Sequence, residues 1–168
     1  MNATRAGIAL GSNLGDRLAQ LRSARDVIVK IAGVAPPVLQ SAIYETTPVA
    51  CEPGAQNFYN AVIEIGFAMS ADALFAALRE IEGESGRVRS NTRNFPRTLD
   101  LDLLYFGDAR SNAPALRLPH PRMATRAFVL RPLADIAPDL KLPGETATVR
   151  ELLSRLPAEE MNVVTRVW

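Results

Sequence analysis

From Leu99 to Phe106 the chain reads Leu-Asp-Leu-Asp-Leu-Leu-Tyr-Phe, and this alternation is the strongest constraint on what it can fold into. Leu99, Leu101, Leu103 and Tyr105 fall on one parity; Asp100, Asp102, Leu104 and Phe106 fall on the other. Successive side chains of a strand point to opposite sides, so a period of two over this length predicts a β-strand with one apolar face. Asp100 and Asp102 then project together, about 6–7 Å apart. Two carboxylates that close repel each other unless water or cations screen them. An all-oxygen pair suits Mg²⁺, which takes one or two carboxylates together with waters and phosphate oxygens.

The residues before this strand supply the opposite charge. Arg87, Arg89, Arg93 and Arg97 fall among Gly86, Ser90, Asn91, Thr92, Asn94 and Pro96, a composition that predicts a loop. Guanidinium groups present a planar fork of donors that matches phosphate oxygens. A basic loop leading into paired aspartates points to metal-assisted phosphoryl chemistry. A solvated basic loop beside an exposed acidic strand face is the plainer alternative.

The 168 residues fit one domain, taken as 1–168, with a sizeable core. The net charge of +1 provides no global field for nucleic acid or an anionic membrane. Cys51 is the sole cysteine, which excludes an intrachain disulfide and a cysteine-based metal cluster. The N-terminus lacks the apolar core of a signal peptide, and no apolar run is long enough to span a bilayer. A cytoplasmic protein is the expectation.

Along the chain, Arg5 to Leu10 predicts a buried strand, broken by Gly11-Ser12-Asn13. Leu14, Leu18, Leu21, Ile28 and Ile31 recur at helical spacing, with Asp16 at the positive end of the helix and Gly33 and Pro36-Pro37 as its stop. The Gly11–Gly15 stretch lacks both the Gly-x-Gly-x-x-Gly and Walker patterns, so it is a turn that seats the helix. Strands are predicted over Val38 to Thr46 and Phe58 to Ile65, with a loop between them. Ser70 is an N-cap for a helix through about Glu84, with Ala71, Leu74, Leu78 and Ile81 as its buried stripe. Glu82 falls at the unfavourable end of that helix; it is either exposed or there to position a basic loop residue or a nucleotide. Ser111 to Ala115 is a loop, Val129 to Ile136 a helix, and Thr148 to Glu151 a capping box that opens a short helix. Asn162 to Val167 is a candidate last strand.

Ile81-Glu82-Gly83-Glu84-Ser85-Gly86-Arg87-Val88-Arg89 and Pro96-Arg97-Thr98-Leu99-Asp100-Leu101-Asp102 resemble the signature of the 6-hydroxymethyl-7,8-dihydropterin pyrophosphokinases. Further blocks agree: Gly11-Ser12-Asn13-Leu14-Gly15-Asp16, Tyr44-Glu45-Thr46-Thr47-Pro48, Asn57-Phe58-Tyr59-Asn60-Ala61, Pro119-His120-Pro121 and Arg126 to Leu133. The resemblance covers nearly the whole chain. It implies an α+β fold with a ferredoxin-like core, a largely antiparallel sheet flanked by helices in three α/β/α layers. It implies transfer of pyrophosphate from ATP to the hydroxymethyl group of the dihydropterin, releasing AMP, with two Mg²⁺ held by Asp100 and Asp102. Arg87 and Arg97 join those aspartates as catalytic groups. Glu82, Arg89, His120 and Arg126 bind the nucleotide. Thr47, Pro48, Val49, Phe58, Asn60 and Phe128 hold the pterin, with the two phenylalanines as walls and Asn60 bonding the ring. A monomer is implied, with small-molecule partners and neither nucleic acid nor membrane.

Trp-Gly usually precedes Pro-Arg in this family, whereas Asn94-Phe95 stands here, so an apolar lid would have to come from Phe95. A tyrosine is often seen where Phe58 sits; its replacement keeps the ring face and loses a hydroxyl. No general base stands out. Two readings of other classes stay open: a two-metal phosphoester hydrolase and a ferredoxin-like nucleic-acid-binding module. The second lacks the basic and aromatic strand pattern it needs around Gly66-Phe67.

Overall fold

A computed structural model of the chain describes residues 3–47, 56–85, 98–157 and 163–166, the last of these as backbone alone. Strand β1 (Thr4–Ser12) leads to helix α1 (Arg17–Ile28). Strands β2 (Val34–Gln40), β3 (Ile43–Thr46) and β4 (Phe58–Phe67) precede α2 (Ala71–Glu84) and β5 (Asp100–Phe106). A small hairpin, β6 (Ser111–Asn112) and β7 (Arg117–Leu118), then a 3₁₀ turn at Met123–Thr125, lead to α3 (Ala127–Ile136), α4 (Val149–Ser154) and β8 (Val163–Arg166).

The main sheet runs β5-β1-β4-β3-β8, with β2 pairing the far half of β4. Its pairings are antiparallel. Up to β5 the succession is β-α-β-β-α-β, if β2 and β3 are counted as one interrupted strand. The last strand lies beside the first, which is the ferredoxin-like arrangement.

Alternation sorts the strands' side chains onto two faces. On one face Ala6, Ile8 and Leu10 of β1, Ile63 and Ile65 of β4, and Leu101 and Leu103 of β5 pack with Leu21 and Ile28 of α1 and Leu74 and Leu78 of α2. On the other, Val62, Leu104 and Tyr105 pack with Leu130 and Leu133 of α3 and Val149 and Leu153 of α4. The result is a sheet between two helical layers. Leu74 is fully buried, and cutting such a leucine back to alanine costs about 2–5 kcal/mol.

The caps explain where the helices start. The Asp16 side chain accepts from the Ala19 amide at 3.0 Å, so α1 begins at Arg17 rather than Leu14, and it ends at Ile28 rather than Ile31. Ser70 accepts from the Ala73 amide at 3.2 Å. Thr148 and Glu151 cap each other reciprocally, as their spacing predicts.

Four expectations are corrected. The strand predicted over Val38 to Thr46 is two strands. The Ser41 hydroxyl accepts from the Val62 amide at 2.9 Å and donates to the Ala42 carbonyl, replacing ladder bonds at the step between them. Strand β1 continues through Gly11 and Ser12 because both pair with β4. The stretch Ser111 to Ala115 starts a hairpin rather than a plain loop. In β5, Ile8 pairs Leu103 and Gly7 pairs Tyr105, so Leu104 is an extra residue. This β-bulge reverses the parity after Leu103. Tyr105 joins the α3 face, and Phe106 turns to the α1–α2 face beside Phe67.

That reversal builds a closed polar cluster at the far end of the α3 face. Glu64 is fully buried and accepts from Arg5 Nε at 2.9 Å and Nη2 at 2.6 Å, while Tyr105 donates its hydroxyl to the other oxygen. The Tyr105 ring lies over Gly7, where a Cβ would fall inside it. Burial, then the bond to Glu64, push the Tyr105 hydroxyl well above the usual phenol range.

Candidate active site

The near end of the same face is polar, with half-exposed carboxylates. Register places Gly11 of β1 between Asn60 of β4 and Asp100 of β5. Thr46 of β3 lies opposite Phe58. Phe58 and Asn60 share the parity of Val62, so they face α3; Tyr59 points the other way, into the α1–α2 core under the Arg17 guanidinium. A Cβ on Gly11 would stand 3.2 Å from Asn60 Oδ1 and 3.9 Å from Asp100 Cβ. The glycine therefore leaves a bare strip of backbone between an amide and a carboxylate. Asn60 is buried and donates from Nδ2 to Thr46 Oγ1 at 2.7 Å, which fixes its orientation with Oδ1 toward Gly11.

Asp100 and Asp102 are half-exposed on this face while Leu101 between them is anchored in the core at 2% exposure. Among the described residues no group of three or more histidine, cysteine or acidic side chains could hold a metal. Two carboxylates without nitrogen or sulfur ligands fit a hard cation that completes its shell with water and phosphate oxygens.

His120 overlooks the pair. Its backbone amide donates to the Leu104 carbonyl at 2.7 Å, tying the segment to β5. Its Nδ1 accepts from the Arg122 amide at 3.3 Å, and its Nε2 lies 4.0 Å from Asp102 Oδ2. Accepting at Nδ1 leaves the proton of a neutral ring on Nε2, aimed at the aspartates. Burial lowers the His120 pKa first of all; Asp102 opposes this, and Arg126 and Arg122 add to it. The ring is a neutral donor at neutral pH.

Arg126 precedes the first turn of α3, its guanidinium 5.2 Å from the Phe128 ring centre. Phe128 is half-buried against the α3–α4 core. The helix is docked by Asp135, which accepts from the Tyr44 hydroxyl at 2.8 Å and 2.9 Å and from the Ala42 amide at 3.3 Å. Burial, ahead of the bond to Asp135, raises the Tyr44 pKa.

The structure thus gathers Asp100, Asp102, His120 and Asn60 on the α3 face at one end of the sheet, with Phe58 beside them, Phe128 on the helix that covers this face, and Thr47 exposed at the end of β3. Glu82 is not exposed; it is buried under β5, and its Oε1 accepts from the Leu101 amide at 2.9 Å. Pro48, Val49, Arg87, Arg89 and Arg97 lie outside the described residues. Sequence reasoning passed over Gly11, Thr46 and Arg122 as site residues. Thr46 reaches Asn60 diagonally across the ladder, since it pairs with Phe58, two residues before Asn60, a relation that needs the register of β3 on β4.

A ferredoxin-like sheet ending in paired carboxylates, with an imidazole beside Asp102 and arginines that act on that imidazole, has the makings of a metal-assisted phosphoryl-transfer enzyme. The family follows from direct comparison. Residues 7–138 match the family model described as 7,8-dihydro-6-hydroxymethylpterin-pyrophosphokinase (HPPK), and the chain belongs to that family. It is 42% identical over 156 residues to the 2-amino-4-hydroxy-6-hydroxymethyldihydropteridine pyrophosphokinase of Pseudomonas aeruginosa, covering 92% of this chain and 93% of that one. The enzyme of that name from Bacillus subtilis is 42% identical over 142 residues, covering 84% and 83%. Among solved structures, a Plasmodium falciparum HPPK-DHPS chain with SDX-DHP superimposes with a TM-score of 0.70 at 14% identity, over 92% of this chain and 46% of that one. That likeness is one of fold.

Proposed function

We propose that this protein transfers the pyrophosphoryl group of ATP to the hydroxymethyl group of 6-hydroxymethyl-7,8-dihydropterin in folate synthesis. The substrate hydroxyl oxygen bonds to the β-phosphorus and gives up its proton to solvent, the bond from that phosphorus to the α–β bridging oxygen breaks, and AMP leaves. The observation that carries this reading is the row Asp100–Gly11–Asn60. It sets a carboxylate and an amide on either side of a glycine that has no side chain between them.

In this reading Asn60 bonds the pterin edge, with Phe58 and Phe128 as apolar walls and Thr47, Pro48 and Val49 around them. Asp100 and Asp102 hold two Mg²⁺, which supply charge neutralisation for the triphosphate. His120 Nε2 donates to a phosphate oxygen without adding charge, and Arg126 adds a cation beside it. Arg87, Arg89 and Arg97 grip the phosphates as negative charge shifts toward the leaving group. A monomeric cytoplasmic enzyme forming one domain over 1–168 completes the proposal. Among the described residues no helix is long and apolar enough to cross a membrane.

The test mixes ATP, Mg²⁺ and the dihydropterin and follows nucleotides by phosphorus NMR. One AMP per pterin diphosphate is expected. Stoichiometric ADP would overturn the attack at the β-phosphorus, and phosphate release without the pterin would favour hydrolysis.

A further inference from the structure

Glu82 is 1% exposed, in the last turn of α2, where a carboxylate gains nothing from the helix dipole. Burying a charge is costly unless its oxygens are bonded. Here Oε1 accepts from the Leu101 amide at 2.9 Å, and Oε2 lies 2.9 Å from Arg79 Nη1. Strand β5 is the edge of the sheet path, so the side of its backbone away from β1 needs partners from outside the ladder. Leu101 is the residue between the two aspartates, and its amide belongs to the peptide that joins it to Asp100. Holding that peptide restrains ψ of Asp100 and φ of Leu101, which together set the directions of the side chains on either side.

We infer that Glu82 is a positioning residue that clamps the Asp100–Leu101 peptide from the sheet edge, so that Asp100 and Asp102 meet a divalent cation with a fixed separation. The inference rests on the metal role of the two aspartates proposed above. It differs from direct nucleotide contact, the role that the family resemblance implies for Glu82: the carboxylate acts through β5. Arg79 keeps the second oxygen engaged, so Glu82 is fixed against α2 as well as against the strand. Metal ligands held from behind in this way bind more tightly than ligands left to find their own geometry.

The experiment uses the full chain with Glu82→Gln, which keeps a carbonyl acceptor for the Leu101 amide, and Glu82→Leu, which fills the space without one. Exchange of the Leu101 amide is followed by NMR. Mg²⁺ affinity is measured by calorimetry with a non-hydrolysable ATP analogue present, so the result does not depend on turnover. Glu82→Leu should speed Leu101 exchange and weaken Mg²⁺ binding about ten- to a hundred-fold. Glu82→Gln should restore both most of the way, even if Glu82→Leu proves too unstable to study. Faster exchange with unchanged Mg²⁺ affinity would make the bond merely structural and overturn the inference. So would weakened affinity for the analogue at unchanged Mg²⁺ affinity, or a Glu82→Gln variant that binds Mg²⁺ poorly while its Leu101 amide stays protected. A wild-type protein that binds Mg²⁺ but forms no AMP would sink the proposed reaction and leave the clamp standing.

Discussion

The two ends of the α3 face are built alike and finished differently. At each, a glycine of β1 lets side chains from β4 and β5 approach over bare backbone: Gly7 between Glu64 and Tyr105, Gly11 between Asn60 and Asp100. At the Gly7 end the chain supplies its own cation. Arg5 binds Glu64 twice, Tyr105 fills the remaining space, and the acid is sealed. At the Gly11 end the acids remain half-exposed, and His120 beside them is held neutral. The same backbone device yields a sealed structural lock at one end and a half-exposed acidic surface at the other.

Removing acids should separate the two ends most sharply. Asp100→Asn and Asp102→Asn should each lower kcat by several kcal/mol in the barrier, on the order of a hundred-fold or more. Both should stay folded, with melting temperatures unchanged or slightly raised without metal because a repulsion is gone. The double variant should be little worse than the poorer single one, since both acids organise one cluster. Steady-state turnover beside melts with and without Mg²⁺ and an ATP analogue reads this; near wild-type turnover in either single variant would erase the contrast between the ends.

Glu64→Ala should do the reverse. It strands the Tyr105 hydroxyl and one face of Arg5, at a cost of about 2–4 kcal/mol by urea unfolding, discounted because the Arg5 side chain is 52% exposed. Turnover of the folded fraction should not change. A large loss of kcat at full occupancy of the native state would mean that the closed end also serves the chemistry.

Gly11→Ala probes the bare strip itself. The added methyl crowds Asn60 Oδ1, and pterin affinity should fall by about 1–1.5 kcal/mol, on the order of tenfold, with nucleotide affinity nearly unchanged. Isothermal titration with each ligand decides it. Unaltered pterin binding would show that the strip is not used.

The smallest effect belongs to α4, which packs in the same cluster as Tyr105. The amide and hydroxyl of Thr148 lower the Glu151 pKa. A depressed carboxylate stabilises the fold above its unfolded pKa, and that contribution is lost as pH falls through the folded one. Wild type should melt slightly higher than Glu151→Gln at neutral pH, and the two should converge below the ordinary carboxylate range. Parallel melting curves down to strongly acidic pH would contradict this.

Local signals carried much of this architecture. The caps at Ser70 and Thr148 and the apolar parity of Leu99, Leu101 and Leu103 each depend on residues a few positions apart. The site residues came from the charge pattern of 87–102 and from the resemblance of the blocks around it. What stayed hidden is non-local. The bulge at Leu104 answers the pairing of β1, and the apolar run from Leu103 to Phe106 does not say on which face each side chain falls. The burial of Glu82 depends on how α2 lies along β5. The break at Ser41 arises because its hydroxyl, in place of a backbone carbonyl, accepts from the Val62 amide of β4, far along the chain.

The placement of Asp100 and Asn60 two strands apart makes the sheet a ruler. Neighbouring strands stand about 4.8 Å apart, so the carboxylate and the amide are separated by roughly 9–10 Å of hydrogen-bonded ladder. Rotamer changes adjust that span little, since the backbone sets it. A register slip of β1 runs along the strands and leaves that spacing as it is. A one-residue slip would turn Ile8 and Leu10 out of the core. The distance from Asp100 to Asn60 is therefore as fixed as the hydrogen-bonded ladder that also carries the core.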